Sequence, residues 1–312
     1  MAKNISEFSL INRFFKRQTN NKNISLSIGD DCALFTVPLG KELALTTDTM
    51  VENVHFFADC EPYNLGHKLL AVNLSDLAAM GATPLAATLA LTLPKVDESW
   101  LQAFADGFFA LADRYSVDLI GGDTTSGPLT LTVQAMGVVP QGKALKRSTA
   151  KSGDMICITG NVGDAGLGLK IKQGYHCKHP EPALHRFNQP EPQVASGQAL
   201  LGFANACIDI SDGLVGDLGH ILEQSNVGAC IDWGALPLSQ EVLNYIEETG
   251  DWLMPLNAGD DYELCFTINP EKIGSLTIPY TKIGIVEASP GLRINKSGII
   301  QPLEAKSFEH FS

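Results

Sequence analysis

The hydrophobic positions of the chain follow two spacings, one typical of helices and one typical of strands. Leu65, Leu69 and Val72 recur at helical spacing and predict a helix over 62–79, whereas the alternating run L-T-L-T-V-Q-A-M-G-V-V predicts a strand over 129–139. Similar patterns in the first half predict further helices at 6–16 and 98–115, and strands at 32–37, 42–49, 85–93 and 117–121. This β-α-β-β-α-β-like succession is typical of an α+β sheet of the ferredoxin-like type.

The second half begins after a polar segment at 140–153 that Gly and Pro interrupt, and we predict a domain boundary there. Beyond it the patterns predict strands at 154–159, 206–210, 229–232, 262–268 and 281–287, and helices at 163–173, 192–205, 214–226 and 239–248. The segment 174–191 is polar, contains three prolines and is interpreted as a long connection. We therefore predict two domains, an N-terminal mixed sheet over 1–140 and a C-terminal α/β domain over 150–312.

Composition and charge narrow the class of protein. Hydrophobic residues make up 45% and charged residues 18%, which is an ordinary globular composition. The formal net charge is −13 and no dense Lys/Arg cluster occurs, so we expect no binding to nucleic acid. The uncharged stretch 77–94 contains Gly81 and Pro84 and ends in alternating residues, so we interpret it as a helix end, a turn and a strand rather than a membrane span.

The N-terminus and the cysteines indicate the cytoplasm. The first residues have no continuous apolar core of the kind a signal peptide needs. The seven cysteines are odd in number, widely spaced and without a C-x-x-C pair, which favours reduced thiols over a disulfide framework.

Acidic residues recur in short segments that are otherwise apolar and contain glycine. These acids are Asp30, Asp31, Asp48, Asp76, Asp123, Asp209, Asp212, Asp260 and Asp261. Four stretches around them contain no Lys or Arg: 26–40, 117–135, 205–219 and 253–266. A carboxylate near a core needs a distant basic residue, a raised pKa or a bound cation. An all-oxygen ligand set suits Mg²⁺, which leaves part of its shell to phosphate oxygens, so the pattern favours Mg²⁺ bound with a phosphorylated ligand.

Each acid also has a structural alternative. An Asp after Gly is often a turn residue or a helix cap, and Asp212 could cap the helix that begins near Leu214. The glycine-rich segment 160–169 could bind an anion through its amides or only pack a helix closely against a strand. Arg147 is the best cationic candidate for a phosphate contact, with simple solvation as its alternative.

Six motifs occur in the order found in the thiamine-monophosphate kinase family, which the chain resembles over nearly its whole length. They are G-D-D-C-A, T-T-D-T-M-V-E-N-V-H-F, V-N-L-S-D-L-A-A-M-G-A-T-P, G-G-D-T-T, I-D-I-S-D-G-L and G-D-D-Y-E-L. The family belongs to an ATP-binding superfamily that includes aminoimidazole ribonucleotide synthetase and selenophosphate synthetase. The resemblance implies that the N-terminal domain binds ATP and Mg²⁺ and dimerises, and that the C-terminal domain closes over the nucleotide site.

The resemblance also implies roles for individual residues. The metal positions are Asp30, Thr46, Thr47, Asp48, Asp76, Asp123, Asp209 and Asp212, of which Asp76, Asp123 and Asp212 are the candidate catalytic residues. The ATP-binding positions are Gly122, Asp123, Arg147 and Ser211. The thiamine monophosphate positions are His55, Asp260 and Phe308, where Asp260 stands in place of the family's usual Glu and Phe308 in place of its usual Trp or Tyr.

The implied activity is phosphorylation of thiamine monophosphate by ATP, with direct in-line transfer assisted by several Mg²⁺ ions, in a cytoplasmic homodimer. Three alternatives stay open: another ATP-dependent synthetase of the superfamily that activates an amide or selenide, a metal-dependent phosphohydrolase, and a non-catalytic divalent-cation-binding protein. The acids are scattered without a D-x-D-x-D-G loop, which counts against a calcium-binding protein.

Overall fold

The computed structural model describes residues 6–304, which fall into two compact units. Within the described residues, the first unit comprises 6–77 and Thr83–Gly142, and the second comprises Ala78–Ala82 and 143–304. Each helix among the described residues is too short or too polar to cross a membrane.

The first unit is built on a four-stranded mixed sheet with the order β3-β6-β4-β5. The strands of the unit are β1 (Ile24–Leu26), β2 (Leu34–Phe35), β3 (Lys41–Val51), β4 (Thr83–Leu93), β5 (Asp118–Ser126) and β6 (Thr130–Pro140). Its helices are α1 (Glu7–Leu10), which continues as a π-helix over Ile11–Phe15, α2 (Pro62–Ala79) and α3 (Glu98–Tyr115). Strands β4 and β5 run parallel, and the other neighbouring pairs in this sheet run antiparallel.

Two glycines bring α2 and α3 into close contact. A Cβ atom at Gly66 would lie 2.1 Å from the Phe104 carbonyl oxygen, and one at Gly107 would lie 1.9 Å from the Tyr63 carbonyl oxygen. The backbones therefore approach more closely than any side chain would allow, and Leu69, like Phe104, is fully buried in this layer.

The elements of this sheet follow the order β-α-β-α-β-β, so the predicted ferredoxin-like order is wrong. The predicted strand at 32–37 shortens to β2, which pairs with β1 in a separate two-stranded sheet. Pro38 has no amide hydrogen for a strand ladder, and Gly40 has a φ of 76°, so the chain turns there before β3 begins. The broader prediction of a mixed α+β sheet is confirmed.

The second unit is built on a seven-stranded sheet with the order β13-β12-β9-β11-β7-β10-β8. Its strands are β7 (Met155–Ile158), β8 (Ala204–Asp209), β9 (Gly228–Asp232), β10 (Leu264–Ile268), β11 (Thr281–Glu287), β12 (Gly291–Lys296) and β13 (Ile299–Pro302). Its helices are α4 (Asp164–Lys172), α5 (Glu181–Asn188), α6 (Val194–Leu200), α7 (Leu214–Ser225), α8 (Gln240–Thr249) and α9 (Met254–Asn257). Every residue of β10 is buried, and Ile156, Ile208 and Leu218 belong to the core beside it.

The structure corrects the sequence prediction at several places in this unit. The predicted helix at 192–205 is shorter, since α6 ends at Leu200 and β8 begins at Ala204, and α9 was not predicted. The segment predicted as a long connection contains α5, where Ala183 and Phe187 are buried although most of the helix is polar. Strands β12 and β13 were not predicted. All seven cysteines are free thiols, and Cys157, Cys207 and Cys265 are buried in the sheet, where burial raises the pKa of the Cys157 thiol to about 12.

Candidate active site

A cleft of about 890 Å³ lies in the first unit, between the N-terminal helical segment, the loop around Gly29 and the sheet. Its lining includes Asp30, Gly122 and Asp123, so the structure brings these predicted site residues together. Lys16 also lines the cleft and adds a positive charge to an acidic surface. The cleft can therefore hold an anionic ligand if cations accompany it.

Gly122 allows the backbone of β5 to approach its neighbour in the sheet. It has a φ of 149°, and a Cβ atom there would lie 1.8 Å from the Leu89 carbonyl oxygen. Any side chain would push β5 away from β4 and displace Asp123, which is the next residue.

A second group of site residues lies on β3 and α2. The Thr46 hydroxyl donates a hydrogen bond to the Asp76 carboxylate. Asp48 lies on the same face of β3 as Thr46, because successive residues of a strand alternate between faces, and Thr47 lies on the opposite face. These donors are hard oxygen atoms, which fit Mg²⁺. Within residues 6–304, however, no three His, Cys, Asp or Glu side chains are grouped so as to hold an ion on their own.

In the second unit, Asp209 is the last residue of β8, and the loop after β8 carries Ser211 and Asp212. The buried Asp217 carboxylate accepts hydrogen bonds from the backbone N–H groups of Ser211 and Asp212, each at 3.0 Å. Burial raises the pKa of Asp217 to about 7, and the Arg147 guanidinium opposes this shift. The Asp217 carboxylate therefore fixes the backbone of the loop at Ser211 and Asp212, and Arg147 is close enough to interact with it electrostatically. Gly213, and not Asp212, occupies the N-cap position of α7.

The G-D-D-Y-E-L loop is tied to the loop after β8. The backbone N–H of Asp260 donates to the Ser211 carbonyl at 2.9 Å, and that of Tyr262 donates to the Ile210 carbonyl at 2.8 Å. Gly259 makes this contact possible, since a Cβ atom there would lie 2.1 Å from the Ser211 carbonyl oxygen. The predicted substrate residue Asp260 is therefore hydrogen-bonded through its backbone to Ser211, a predicted ATP-binding residue.

Asp261, the neighbour of Asp260, has a structural role. It is 1% exposed and accepts hydrogen bonds from the backbone N–H groups of Gly163 at 2.8 Å and Ala165 at 3.3 Å, at the start of α4. Burial raises the pKa of this carboxyl to about 8. The glycine-rich segment therefore uses its amides to bind a carboxylate of the chain, which agrees with the packing alternative for that segment.

Two of the predicted substrate residues lie in the first and second units, and one lies outside the described residues. The His55 ring accepts a hydrogen bond at Nδ1 from the Val51 N–H at 3.0 Å, which places the proton of a neutral ring on Nε2. The Asp260 carboxylate accepts a hydrogen bond from the Tyr262 hydroxyl at 2.9 Å. Phe308 falls outside residues 6–304.

Comparisons with known proteins identify the family. The model of the AIR synthase related protein, N-terminal domain, matches residues 29–139. A thiamine-monophosphate kinase of Salmonella typhimurium is 46% identical over 320 residues, which cover 98% of this chain and 98% of that protein. The chain belongs to the thiamine-monophosphate kinase family.

Solved structures agree with this membership. A thiamine-monophosphate kinase from Stenotrophomonas maltophilia is 43% identical with a TM-score of 0.83, covering 88% of this chain and 92% of that chain. AaThiL, complexed with AMPPCP and TMP, is 30% identical with a TM-score of 0.81, covering 88% of this chain and 89% of that chain. Membership of the thiamine-monophosphate kinase family confirms the resemblance and the predicted enzyme class.

Several residues of this family member that matter for the geometry were not predicted. Asp217 carried a signal, because it is an acid inside an otherwise apolar run, and Glu263 carried one, because it lies in a stretch without Lys or Arg. Lys16 and Arg186 carried none, because basic residues are usually solvated. Only the fold brings Lys16 to the cleft and Arg186 to Glu263.

Proposed function

We propose that this chain transfers the γ-phosphoryl group of ATP directly to the phosphate of thiamine monophosphate, which gives ADP and thiamine diphosphate in the last step of thiamine diphosphate biosynthesis. The observation that carries the proposal is the 46% identity to a thiamine-monophosphate kinase across 98% of both chains. AaThiL, a related protein of similar structure, is complexed with AMPPCP and TMP.

ATP is proposed to bind at Gly122, Asp123, Arg147 and Ser211. Gly122 and Asp123 line the cleft of the first unit, and the close approach at Gly122 exposes backbone next to Asp123. Arg147 is an exposed cation, and Ser211 lies in a loop that Asp217 holds in shape. A guanidinium suits a phosphate group, because its fork of N–H donors matches the phosphate oxygens.

Magnesium is proposed as the resident cation. Asp30, Thr46, Thr47, Asp48, Asp76, Asp123, Asp209 and Asp212 would hold several Mg²⁺ ions together with phosphate oxygens of the nucleotide. The Thr47 side chain lies on the opposite face of β3 from Thr46 and Asp48 and would not share their ion. When bound, Mg²⁺ neutralises the repulsion between two anionic substrates and the charge of the transition state. The absence of a preformed ligand cluster among the described residues fits an ion that enters with the nucleotide.

The acceptor needs little activation by the protein. The second pKa of a phosphate monoester is ~6, so thiamine monophosphate is already a dianion near neutral pH and no strong general base is required. His55 and Asp260 are proposed to bind and orient it, with Phe308 as an aromatic contact. The tautomer set by the Val51 N–H leaves the His55 proton on Nε2, where it can donate to an acceptor oxygen.

A cytoplasmic homodimer is also proposed. Strand β3 lies at the edge of its sheet, and its exposed face carries Leu43 and Leu45, which are 40% and 57% exposed. Such an edge with apolar side chains is a suitable surface for a second copy. The closure of the C-terminal domain over the nucleotide stays a prediction.

An activity assay tests the proposal. Purified protein with ATP and Mg²⁺ should convert thiamine monophosphate into thiamine diphosphate and ADP, and free thiamine should be a poor acceptor. ADP formation that does not depend on thiamine monophosphate would favour a synthetase of the superfamily or a phosphohydrolase. Binding of divalent cations without ATP consumption would favour a non-catalytic protein.

A further inference from the structure

The loop that carries Asp260 has an unusual backbone conformation. Asp260 has a φ of 68° and Tyr262 a φ of 50°, so two residues with side chains occupy the left-handed region on either side of Asp261. Such conformations are unfavourable and persist only where the surrounding structure determines them. The direction of the Asp260 carboxylate therefore depends on contacts that hold this loop.

Contacts on one side of the loop come from the backbone. The N–H groups of Asp260 and Tyr262 donate to carbonyls of the loop after β8, and the Asp261 side chain binds amides at the start of α4. None of these contacts involves the Asp261 carbonyl oxygen, which lies between the two left-handed residues.

Arg186 of α5 holds that carbonyl. Its Nη2 atom donates to the Asp261 carbonyl oxygen at 2.8 Å and also forms an ion pair with the Glu263 carboxylate. Glu263 is 2% exposed, and its other oxygen accepts a hydrogen bond from the Thr159 hydroxyl at 2.6 Å. The guanidinium is therefore anchored on a buried acid while it fixes the backbone next to Asp260.

We propose that Arg186 is a positioning residue for the thiamine monophosphate site, which acts by fixing the backbone at Asp261 and thereby the direction of the Asp260 carboxylate. The inference rests on the proposed role of Asp260 as a substrate contact. It assigns to Arg186 an effect on the binding of thiamine monophosphate and not on the binding of ATP.

Steady-state kinetics of three variants test the proposal. Arg186→Met removes the charge and the Nη2 group that donates to both acceptors, while it keeps much of the side-chain length. Arg186→Lys keeps a charge and can reach one acceptor. Arg293→Met is the matched control, because Arg293 likewise pairs with a glutamate, Glu287, and donates to carbonyls of a turn, at Ser289 and Pro290. We expect Arg186→Met to raise KM for thiamine monophosphate about 10-fold, since small misplacements of binding groups cost that much or more. KM for ATP should stay within about 2-fold, Arg186→Lys should be intermediate, and Arg293→Met should change neither KM.

A double-mutant cycle separates positioning from a general structural role. If Arg186 acts through Asp260, then Arg186→Met should have little further effect on KM in an Asp260→Asn background. An equal effect in both backgrounds, or equal rises of both KM values, would overturn the inference. Thermal melting shows whether each variant is folded, and Arg186→Lys carries the test if Arg186→Met does not fold.

The cycle also distinguishes failure of the inference from failure of the proposed site. If Asp260→Asn alone leaves KM for thiamine monophosphate unchanged, then the substrate role of Asp260 is wrong and the inference falls with it. If Asp260→Asn raises this KM but both Arg186 variants leave it unchanged, only the inference is overturned.

Discussion

Two buried acids of the second unit, Asp217 and Asp261, are hydrogen-bonded to backbone amides. Asp217 accepts two N–H groups of the loop after β8, and Asp261 accepts two N–H groups at the start of α4. Backbone amides stabilise the charged form without a basic side chain, although burial still raises both pKa values. The sequence predicted that a carboxylate near a core needs a distant basic residue, a raised pKa or a bound cation. Asp261 has the first two, because its pKa is raised and Arg186 interacts with it electrostatically.

Asp261 should make stability depend on pH. Its pKa is about 8 in the folded protein, well above the usual range of an aspartate, because burial outweighs the opposing amides and Arg186, and Asp164 adds to the rise. The folded state therefore holds the proton more tightly, and the free energy of unfolding contributed by this group falls as pH rises from about 4 to about 8. When the pH rises from about 5.5 to about 8, the free energy of unfolding of Asp261→Asn should increase by about 1 to 3 kcal/mol relative to that of the unchanged protein.

Urea unfolding of both proteins at the two pH values measures this difference. Asp97→Asn is the control, because the pKa of Asp97 is lowered, first by the Ser99 hydroxyl, so its contribution is lost only at acid pH. A stability difference for Asp261→Asn that does not change with pH would show that Asp261 is ionised throughout this range.

Asp123 should be needed for turnover and not for folding. It is exposed and lines the cleft, so Asp123→Asn removes a charge without creating a cavity. We expect kcat to fall by about 100-fold or more, the scale of losing an electrostatic group that stabilises a transition state. The rise in melting temperature that Mg-ATP causes should shrink, because weaker binding gives less stabilisation.

Asp113→Asn is the control for Asp123→Asn, since Asp113 is an exposed acid in the same unit that pairs with Arg17. Near-normal kcat in Asp123→Asn would contradict the catalytic role of this acid.

At the level of elements, close packing of α2 on α3 depends on glycine. Replacing a helical Gly with Ala normally stabilises a helix by about 1 kcal/mol. At Gly107 the added Cβ would lie 1.9 Å from the Tyr63 carbonyl oxygen, so one of the two backbones must shift. Packing should therefore reverse the sign of the intrinsic preference.

We expect Gly107→Ala to lower the free energy of unfolding by about 1 to 3 kcal/mol, the range for overpacked cores. Gly274→Ala is the matched control, because no atom lies within 4 Å of a Cβ built there, and it should stay within about 0.5 kcal/mol. Urea unfolding measures both, and a Gly107→Ala protein as stable as the control would contradict the packing argument.

Helix α5 shows how an element can escape detection and still position a site. Its sequence E-P-A-L-H-R-F-N lies among prolines and has only two buried residues, so the hydrophobic period is too short to recognise. Pro182 lies in the first turn of the helix, where a proline is tolerated. Packing against α4 keeps this short helix in place, and it delivers Arg186 to the Asp260 loop.

At the scale of the whole molecule, the exposed face of the edge strand β3 is the surface proposed to bind a second copy. We expect the protein to have about twice the 33.5 kDa mass of the chain in light scattering at micromolar concentration. Leu45→Lys should shift the mass towards the monomer, because it places a charge on the exposed face of β3. Leu243→Lys is the control, since Leu243 is 44% exposed on α8, and it should leave the mass unchanged. A monomer mass for the unchanged protein would sink the dimer proposal.

The sequence by itself determined the family, the enzyme class and most of the regular structure. Long periodic segments such as 62–79 and 98–115 correspond closely to α2 and α3, because a helix that must bury a wide face needs a sustained pattern. The motif acids could be found because they lie in apolar segments with glycine. A charge in such a segment costs free energy unless a partner compensates it, so its presence indicates a functional or structural role.

The tertiary structure decided strand order, the separation of β2 from the main sheet, and which distant residues meet. Strand order depends on non-local pairing, which leaves little trace in local periodicity, so the ferredoxin-like order was wrong. Lys16 at the cleft and Arg186 beside Glu263 are separated from their neighbours by many residues of chain. Their positions follow from packing. A basic residue that would otherwise be solvated gains an electrostatic role only when the fold places it beside a buried acid or a cleft.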